Sequence, residues 1–552
     1  MKTYTHPVYS CPVPPELNGT PHHWPVVIAG AGPVGLCAAI DLAQRGIDVL
    51  VLDEDNTVSV GSRAICWAKR TLEILDRLGC ADRIVGKGVE WNVGKVFFRD
   101  EQIYQFDLQP EPGHRRPAFI NLQQYWVEQF LVERCLSLPQ AELRWQSKVL
   151  GVIQEADRVA IRVSAPEGEY TVHADWLIAA DGARSPVRGM LGLETEGMAF
   201  RDRFLIADVV MHSQFPSERW FWFDPPFHRN QSALLHRQAD NVWRVDFQLG
   251  PDADPDEEKK PEKIMARLRA MLGDKTEFDI EWASVYTFQC RRMRSFRHGR
   301  TLFVGDAAHV VSPFGARGAN SGIQDIDNLI WKLELVMAGQ AAESLLDSYD
   351  AERTFAADEN IRHSTRSTDF ITPKSEASRA FRDAALLLAK HHAFARRLVN
   401  SGRLSLPTAL GTSPLSTRDA EAFACAVAPG GTAIDAPVAG PRGAWLLSYL
   451  EGGFTLLAFD ASVPADAIEA LANDATACTV VEVGNRPVAG GSALEDCERL
   501  VTARYDGKPG TCYLFRPDQH ICARWRSFDL PSVRKAIARA AGAADMEKRE
   551  AA

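Results

Sequence analysis

The sequence predicts an α/β protein in which a doubly wound parallel sheet carries an inserted, mostly antiparallel β domain and is followed by a smaller α/β domain. An apolar strand, a tight turn, a helix and a second strand begin near residue 26. Further apolar strands return near residues 176 and 301, and the chain between them alternates polar and apolar residues. Such alternation is typical of strands with one buried face, and an α/β pattern resumes after residue 444.

Length and composition exclude several classes of protein. The chain has 552 residues, 46% of them hydrophobic and 24% charged, which is enough for two to four domains. A net charge of −10 disfavours a nucleic-acid partner, because such a partner needs a basic surface. No long apolar run occurs, so we expect neither a signal peptide nor a membrane span. Eleven scattered cysteines, none in a Cys-x-x-Cys pair, favour a cytoplasmic location and no metal site.

The first strand leads into a phosphate-binding turn. Gly30, Gly32 and Gly35 form a G-x-G-x-x-G motif between the strand and the helix. The first glycine permits the turn, the second lets the backbone approach a pyrophosphate, and the third lets the helix pack on the strand. Asp53 ends the second strand, where a carboxylate can bind a ribose hydroxyl. Both NAD and FAD satisfy this motif.

Two later motifs distinguish between the two dinucleotides. Asp181 opens a turn after one apolar strand, and Asp306 follows another. Gly318 and Asn320 then lie in a loop that leads into a helix, whose first amide groups would face an anionic ring edge. The three motifs, in this order, resemble those of the single-component FAD-dependent aromatic hydroxylases. That family includes p-hydroxybenzoate hydroxylase, phenol hydroxylase and 3-(3-hydroxyphenyl)propionate hydroxylase.

The resemblance covers residues 24–370 and implies FAD as the cofactor, with NADH or NADPH as the reductant. It implies that FAD is contacted by Gly30, Gly32, Gly35, Asp53, Asp181, Asp306, Gly318 and Asn320. Two looser matches are Arg63, near the flavin, and Gln124, on a helix that contacts the cofactor. For both residues a position on a surface helix remains an alternative.

The same resemblance implies a monooxygenase that hydroxylates a small phenolic substrate. In that family the nicotinamide reduces the flavin, and O2 then forms a C4a-hydroperoxide that attacks an electron-rich ring carbon. Two other functions stay open, namely a flavin-dependent halogenase and an FAD-binding structural or sensor protein. A homodimer is a further possibility.

The inserted domain contains a hairpin with one polar face. A three-residue loop at 240–242 would make Gln238 face Arg244 and His236 face Asp246, whereas a two-residue loop would mix polar and apolar residues on both faces. The polar face is either solvated or lines the substrate pocket.

If the polar face lines the substrate pocket, the resemblance implies a role for each of its residues. Arg244 matches an arginine beside the flavin, and His236, Gln238 and Asp246 match substrate contacts. A histidine titrates near neutrality, and a neighbouring carboxylate raises its pKa. His236, Asp246 and Arg244 are therefore the candidate catalytic residues, with His236 as the base that accepts the phenol proton.

An aromatic stretch, Trp-Phe-Trp-Phe-Asp-Pro at 220–225, precedes the hairpin. Its tryptophan spacing is similar to a signature of flavin-dependent halogenases, although Asp224 interrupts it. Lys95 is a candidate for the lysine that halogenation needs. The alternation puts the two tryptophans on one strand face and the two phenylalanines on the other. The stretch is a halogenase motif, plain sheet core or a pocket wall, and in the last case Trp222 is a candidate substrate contact.

The predicted domain organisation is discontinuous. A Rossmann-type FAD-binding domain comprises residues 24–200 and 289–370 and encloses a substrate-binding β domain at 201–288. A helical segment and linker follow at 371–443. Residues 444–545 resemble the thioredoxin-like C-terminal domain of the phenol hydroxylases, without its Cys-x-x-Cys pair, so we expect them to serve packing or dimerisation.

Overall fold

The computed structural model describes residues 3–19, 22–212, 215–399, 405–425, 427–460, 463–484 and 492–542. The strands, in chain order, are β1 (His23–Ala29), β2 (Val49–Leu52), β3 (Cys66–Ala68), β4 (Val89–Trp91), β5 (Val93–Phe98), β6 (Glu101–Asp107), β7 (Phe119–Asn121), β8 (Ala141–Arg144), β9 (Lys148–Gln154), β10 (Val159–Ala165), β11 (Gly168–Ala179), β12 (Thr195–Val210), β13 (Arg219–Phe223), β14 (Ser232–Arg237), β15 (Val242–Leu249), β16 (Asp279–Met293), β17 (Arg297–His298), β18 (Thr301–Phe303), β19 (His309–Val310), β20 (Phe454–Phe459), β21 (Cys478–Val483), β22 (Ser492–Leu494), β23 (Cys512–Phe515) and β24 (Ile521–Trp525).

The α-helices are α1 (Pro33–Gln44), α2 (Lys69–Arg77), α3 (Ala81–Lys87), α4 (Gln124–Leu136), α5 (Pro186–Met190), α6 (Pro255–Glu258), α7 (Pro261–Leu272), α8 (Gly318–Met337), α9 (Leu345–Ile371), α10 (Glu376–Ala389), α11 (Ala393–Val399), α12 (Ala465–Asn473), α13 (Leu500–Arg504) and α14 (Leu530–Ala540). None of the helices within the described ranges is both long and apolar enough to span a lipid bilayer.

The first sheet is the predicted parallel sheet. Its strands run in the order β17-β18-β11-β1-β2-β8, and β11, β1, β2, β8 and β18 pair in parallel. The strands β1 and β2 are apolar and almost wholly buried, because helices cover both faces of a parallel sheet. The turns that follow β1, β11 and β18 lie at the same edge, since the carboxyl ends of parallel strands meet there.

The second sheet is mostly antiparallel and has the order β19-β16-β12-β15-β14-β13-β5-β6. One face packs a cluster that includes Phe204, Phe221, Phe223 and Phe314, and the other packs a separate cluster around Trp243 and Phe247. Both faces of this sheet are covered, which explains why β13 has aromatic side chains on both of its faces.

The boundaries predicted for the inserted domain differ from those of this sheet. The strands β12 and β16 extend beyond residues 201–288 at both ends, and β5 and β6 come from the range assigned to the first domain. The strand β5 joins the sheet by a parallel pairing with β13, from Gly94 beside Arg219 to Phe98 beside Phe223. A pairing between segments so far apart in the chain leaves no local pattern in the sequence.

The C-terminal part forms a five-stranded sheet, β22-β21-β20-β23-β24, in which parallel and antiparallel pairs are mixed. The segment before it is not a free linker. Leu415, Val427, Ala436 and Val438 are buried against the faces of this sheet, so the described part of residues 405–443 belongs to its core. Of the predicted ranges, residues 213–214, 400–404, 426, 461–462, 485–491 and 543–545 lie outside the described residues.

A buried ionic cluster joins this C-terminal part to the helices of the first sheet. The Glu352 carboxylate on α9 accepts hydrogen bonds from Lys332 Nζ at 2.8 Å and from Arg516 Nη1 at 2.6 Å. The two cations hold the Glu352 carboxyl ionised and its pKa well below the usual range, although burial acts in the opposite direction. Paired charges of this kind tolerate burial, whereas either partner alone would not.

Candidate cofactor groove and substrate cavity

The glycine-rich turn between β1 and α1 combines close packing with open space. A Cβ atom at Gly35 would lie 2.0 Å from Gly30 O, and one at Gly30 would lie 2.6 Å from Ala180 O. Gly30 also has a φ of 105°, which favours glycine. A Cβ at Gly32, in contrast, would meet no atom within 4 Å. Gly35 therefore lets α1 pack against the turn after β1, and Gly30 lets that turn pack against the turn after β11. Gly32 faces an open space at the start of α1.

Asp53 fixes this turn from the end of β2. Its carboxylate accepts hydrogen bonds from the Ala31 amide at 2.6 Å and from the Asp55 amide at 2.9 Å. Burial raises the pKa of Asp53, and the two amide donors oppose that shift. The carboxylate lies beside the turn, as a ribose-binding acid requires.

The turn after β11 meets the glycine-rich turn and the turn after β18. Asp181 Oδ2 accepts a hydrogen bond from the Val187 amide at 2.9 Å, whereas Oδ1 is buried with no partner among the described residues. Arg188 donates to Ala307 O at 2.8 Å and so connects this turn to the one that carries Asp306. The three motifs therefore surround one groove.

Asp306 lies in this groove with its side chain accessible to solvent. The surrounding protein raises its pKa, while His309 and Arg63 act in the opposite direction. His309 itself is buried and 2.7 Å from Asp325 Oδ2, and Arg353 binds the other oxygen of that carboxylate. His309 thus belongs to a structural cluster beneath the groove.

The loop before α8 closes the groove on one side. The nearest side-chain atom to a Cβ at Gly318 would be Asp306 Oδ1, at 3.9 Å. The Asn320 carboxamide accepts from the Ala68 amide at 2.9 Å and donates to Cys66 O at 2.8 Å. Asn320 is 1% exposed, so its side chain holds the start of α8 against β3.

Gln124 holds the segment at 59–64 in a similar manner. Its Oε1 accepts from the Ala64 amide at 3.0 Å, and its Nε2 donates to Ser59 Oγ at 2.9 Å. The Arg63 side chain on this segment is exposed and lies near enough to Asp306 to lower the pKa of that carboxyl. Arg63 therefore faces the groove, and Gln124 positions the segment that carries it.

A cavity lies between the second sheet and the loop before α8. Its walls are formed by aromatic and aliphatic side chains together with one cation and one hydroxyl group, namely Val96, Arg219, Phe221, Phe223, Phe314, Gly315, Ser367, Ile371 and Val399. Phe314 and Gly315 belong to the loop that also closes the cofactor groove. A ligand in the cavity would therefore adjoin a ligand in the groove.

The hairpin register differs from the predicted one. His236 lies opposite Arg244 and Leu234 opposite Asp246, because the loop is formed by residues 239–241, one residue earlier than expected. Asp240 and Asn241 have φ values of 60° and 56°, a conformation that Asp and Asn tolerate better than other residues with a side chain. The predicted three-residue loop length is retained, so the polar residues still share one face.

That polar face is neither solvated nor open to the cavity. Arg244 is 3% exposed, forms two hydrogen bonds with the Asp208 carboxylate at 2.8 and 2.7 Å, and donates to Ser62 O at 2.5 Å. Gln238 Nε2 donates to Asp208 Oδ1 at 3.0 Å. Through Arg244, these side chains bind the sheet to the segment that carries Arg63. The substrate contact of Gln238 stays a prediction, and in this structure its side chain contacts Asp208.

His236 lies in a more cationic environment than the sequence suggested. Its Nε2 atom is 3.5 Å from Asp246 Oδ2 without a good hydrogen bond, and its Nδ1 atom is 3.9 Å from Cys66 Sγ. Burial and the nearby Arg219 lower the pKa of His236 to about 4, which outweighs Asp246. Asp246 raises this pKa as expected, but burial and Arg219 have the larger effect, so His236 is neutral at pH 7.

The aromatic strand β13 presents its phenylalanines, not its tryptophans, to the cavity. Phe221 and Phe223 line it, whereas Trp222 packs in the cluster on the opposite face, with its ring 5.2 Å from that of Phe97. The expected substrate contact of Trp222 stays a prediction, and the orientation of the strand places this side chain on the face away from the cavity. Lys95 also lies on the opposite face, 2.7 Å from Glu218 Oε2. Asp224 ends the strand with a φ of 51°.

Sequence reasoning missed several residues that the structure brings to this region. Arg219 and Phe314 line the cavity, and Asp208 receives both Arg244 and Gln238. Arg219 lies on the same face of β13 as Phe221 and Phe223. The alternation of side chains along this strand could therefore have identified Arg219 as a residue of the cavity wall.

Comparison with known proteins identifies the family. Residues 23–364 match the family described as FAD binding domain. The chain belongs to this FAD-binding family.

Relatives of known activity are found at about one-third identity. The chain is 30% identical to a 3-(3-hydroxy-phenyl)propionate/3-hydroxycinnamic acid hydroxylase of Mycolicibacterium smegmatis, over 65% of this chain and 63% of that protein. It is 34% identical to the 6-methylpretetramide 4-monooxygenase of Streptomyces rimosus, over 62% of this chain and 60% of that protein. These matches span less than two thirds of the relatives' own length.

A solved structure extends the likeness to nearly the whole chain. The flavin-dependent monooxygenase PieE, solved in complex with FAD and substrate, superposes with a TM-score of 0.78 over 95% of this chain and 100% of that one. The two sequences are 22% identical, so this likeness concerns the fold. It covers a larger share of this chain than either relative above does.

The residues of the groove fit the cofactor of the family. The space at Gly32 would receive the pyrophosphate of FAD at the N-terminus of α1. Asp181 Oδ1, which has no hydrogen-bond partner in the described part of the chain, could accept a hydrogen bond from the cofactor. Asp53 lies where a ribose hydroxyl of the cofactor is expected. Asp306, Arg63 and Gly318 would adjoin the flavin end of the groove.

Proposed function

We propose that this protein is a flavoprotein monooxygenase that hydroxylates a phenolic ring with NADH or NADPH and O2. One observation carries the proposal. The loop that contains Phe314 and Gly315 and ends at Gly318, the first residue of α8, is at once a wall of an aromatic-lined cavity and one side of the cofactor groove. The cavity encloses about 20 Å³ in this structure, so an aromatic substrate would enter by displacing its side-chain walls and would then adjoin the flavin. The activities named for the relatives from Mycolicibacterium smegmatis and Streptomyces rimosus support the same reaction class.

Bound FAD would supply the oxygen-transfer chemistry, after reduction by the nicotinamide. The protein would hold the ring and exclude water. Phe221, Phe223 and Phe314 offer flat surfaces to an aromatic substrate, and the sheet and α9 shield the cavity. Ser367 is the hydroxyl group at this wall that can donate to or accept from a phenolic oxygen.

His236, Asp246 and Arg244 act in this proposal by positioning other groups. None of the three is a wall of the cavity, and Arg244 is fully occupied by Asp208 and the 62–63 backbone. Neutral His236 lies against Cys66 and near Arg219, so its removal would disturb the cavity wall through those neighbours.

We also propose a cytoplasmic location and a homodimer. All eleven cysteines are free thiols, which agrees with a reducing compartment. The helices α10 and α11 leave Phe381, Leu387 and Phe394 about 60% exposed, at 59%, 57% and 62%. Large apolar side chains that are exposed on two neighbouring helices are candidates for a contact with another protein chain. Sedimentation of the native protein and of Phe394→Asp tests this point, and a monomeric native protein would refute the dimer.

The reaction is tested with the purified, FAD-loaded protein and a panel of phenols. We expect at least one phenol to stimulate NADH or NADPH oxidation, with O2 consumed and a product heavier than the substrate by one oxygen atom. A protein whose oxidation of both nicotinamides is unaffected by every phenol would fit a structural or sensor role.

Halogenation is distinguished by adding bromide, reduced FAD and a phenol or indole. Lys95 points away from the cavity, so the structure offers this reaction no lysine at the position that the sequence suggested. We expect no brominated product, and its appearance would overturn the hydroxylase proposal.

A further inference from the structure

The cavity wall contains a buried arginine that has no carboxylate partner. Arg219 is the first residue of β13, is 5% exposed, and lines the cavity beside Phe221. No carboxylate of a described residue lies within 4 Å of its guanidinium group. Its Nε atom is buried without a hydrogen-bond partner in the described part of the chain.

The contacts that Arg219 does make are weak or uncharged. Nη1 donates to Cys66 Sγ at 3.6 Å, and the guanidinium carbon lies 5.2 Å from the centre of the Phe221 ring and 5.8 Å from that of Trp91. Burial raises the pKa of the Cys66 thiol, so this neighbour is a neutral thiol and not a thiolate. His236 is likewise neutral, and Arg244 is neutralised by Asp208.

Other buried arginines in this protein are paired differently. Each of the following has a carboxylate oxygen within 3 Å of its guanidinium group: Arg70 with Asp327, Arg144 with Glu16, Arg244 with Asp208, Arg353 with Asp325, and Arg516 with Glu352. A guanidinium group keeps its proton in proteins, and a buried charge without a counter-ion is costly. Arg219 therefore departs from the pairing that these five arginines share.

We infer that Arg219 binds a carboxylate group of the aromatic substrate, and that this interaction selects aromatic acids over neutral phenols. The inference rests on the proposed function and assigns its substrate class. A carboxylate would supply the missing counter-charge and could accept two hydrogen bonds from the guanidinium group. The aromatic ring would then lie along Phe221 and Phe223, towards the Gly315 end of the cavity.

One charged group on the same face competes with this assignment. Asp246 lies 3.5 Å from His236 and its side chain is 14% exposed. Asp246 is not within ion-pair distance of Arg219, so its carboxylate reduces the positive potential at the cavity wall but does not neutralise the arginine. Substitution of Asp246 by Asn should therefore strengthen the binding of an aromatic acid.

The test measures equilibrium binding to the FAD-loaded protein without a nicotinamide, through the change in flavin absorbance. The probes are 3-hydroxybenzoate, 3-hydroxyphenylacetate and 3-(3-hydroxyphenyl)propionate, each paired with its primary amide. The native protein should bind at least one acid at least tenfold more tightly than its amide. In Arg219→Met that acid should bind about 100-fold more weakly, because a charge-assisted pair is lost. Arg219→Lys should recover part of the loss.

Two controls separate this effect from general damage. Arg294→Met removes an arginine whose side chain is 89% exposed and should leave binding of both ligands unchanged. The amide should change less than about threefold in Arg219→Met, and the FAD content should stay constant. Equal weakening of the acid and the amide, or a native protein that binds no acid better than its amide, would overturn the inference.

The outcome is independent of the reaction itself. If acids bind through Arg219 but no product forms, the assigned ligand class stands and the proposed monooxygenase activity fails. If neutral phenols are hydroxylated and acids are not preferred, the activity stands and the role of Arg219 is refuted.

Discussion

The buried state of His236 leads to a quantitative prediction about stability and pH. The side chain is 2% exposed and faces Arg219 on β13, Arg244 and Asp246 on β15, and Cys66 on β3. Its pKa is lowered to about 4 from an ordinary value of 6.5. Between these two values the unfolded chain binds a proton that the folded protein does not. The contribution of His236 to folding is therefore complete above pH 6.5 and decreases as the pH falls.

The expected magnitude follows from the two pKa values. Proton linkage gives a loss of about 2 kcal/mol between pH 8 and pH 5, and about 3 kcal/mol once the pH is below 4. His236→Gln removes this term and keeps a neutral polar side chain of similar size. The free-energy difference between native protein and variant should thus change by about 2 kcal/mol in favour of the variant between pH 8 and pH 5.

The assay is thermal unfolding of both proteins across this pH range, compared as a difference so that other titrating groups cancel. His391→Gln, at an exposed position on the surface, serves as the control and should show no such pH dependence. A constant difference at all pH values would refute the lowered pKa. A native protein that loses stability relative to the variant as the pH rises through 7 would mean that His236 is protonated and paired with Asp246.

Three further predictions follow from the groove, the cavity and the polar face. Gly32→Val should leave the fold intact, because a Cβ atom at this position meets no protein atom within 4 Å. The variant should nevertheless contain at least tenfold less FAD after purification, as measured by absorbance. Full FAD content would contradict the assignment of the groove as the FAD site. Phe221→Ala should lower the yield of hydroxylated product per NADH or NADPH oxidised, while Trp222→Ala on the opposite face should not, and equal effects would contradict the strand orientation. Arg244→Met leaves Asp208 buried and unpaired and should destabilise the protein by about 3–5 kcal/mol in urea unfolding, whereas a loss below about 1 kcal/mol would contradict the ion pair.

The parallel sheet and the cofactor groove were accessible from the sequence because their signals are local. The glycines of the first turn, Asp181 and Asp306 each follow an apolar strand, and parallel strands bring such turns to one edge. Alternation likewise placed the polar residues of the hairpin on one face. These inferences needed only the period of the elements and the chemistry of the turns.

The cavity was less accessible because it depends on contacts between distant segments. The orientation of β13 follows from its pairing with β5, which lies more than a hundred residues earlier in the chain. The pKa of His236 is lowered first by burial and then by Arg219 on a neighbouring strand, and neither cause is visible in the hairpin sequence itself. The face of each hairpin residue was therefore accessible from the sequence, whereas the surroundings of Gln238 and His236 were not.

The central claim is that the cavity and the groove together hydroxylate an aromatic ring. It is tested most directly by one reaction in 18O-labelled O2, with the FAD-loaded protein, NADH or NADPH and a series of phenolic acids. We predict a product that carries one 18O atom on the ring, formed in proportion to the nicotinamide oxidised. A product with oxygen derived from water, or nicotinamide oxidation that yields only hydrogen peroxide with every phenol, would contradict the account.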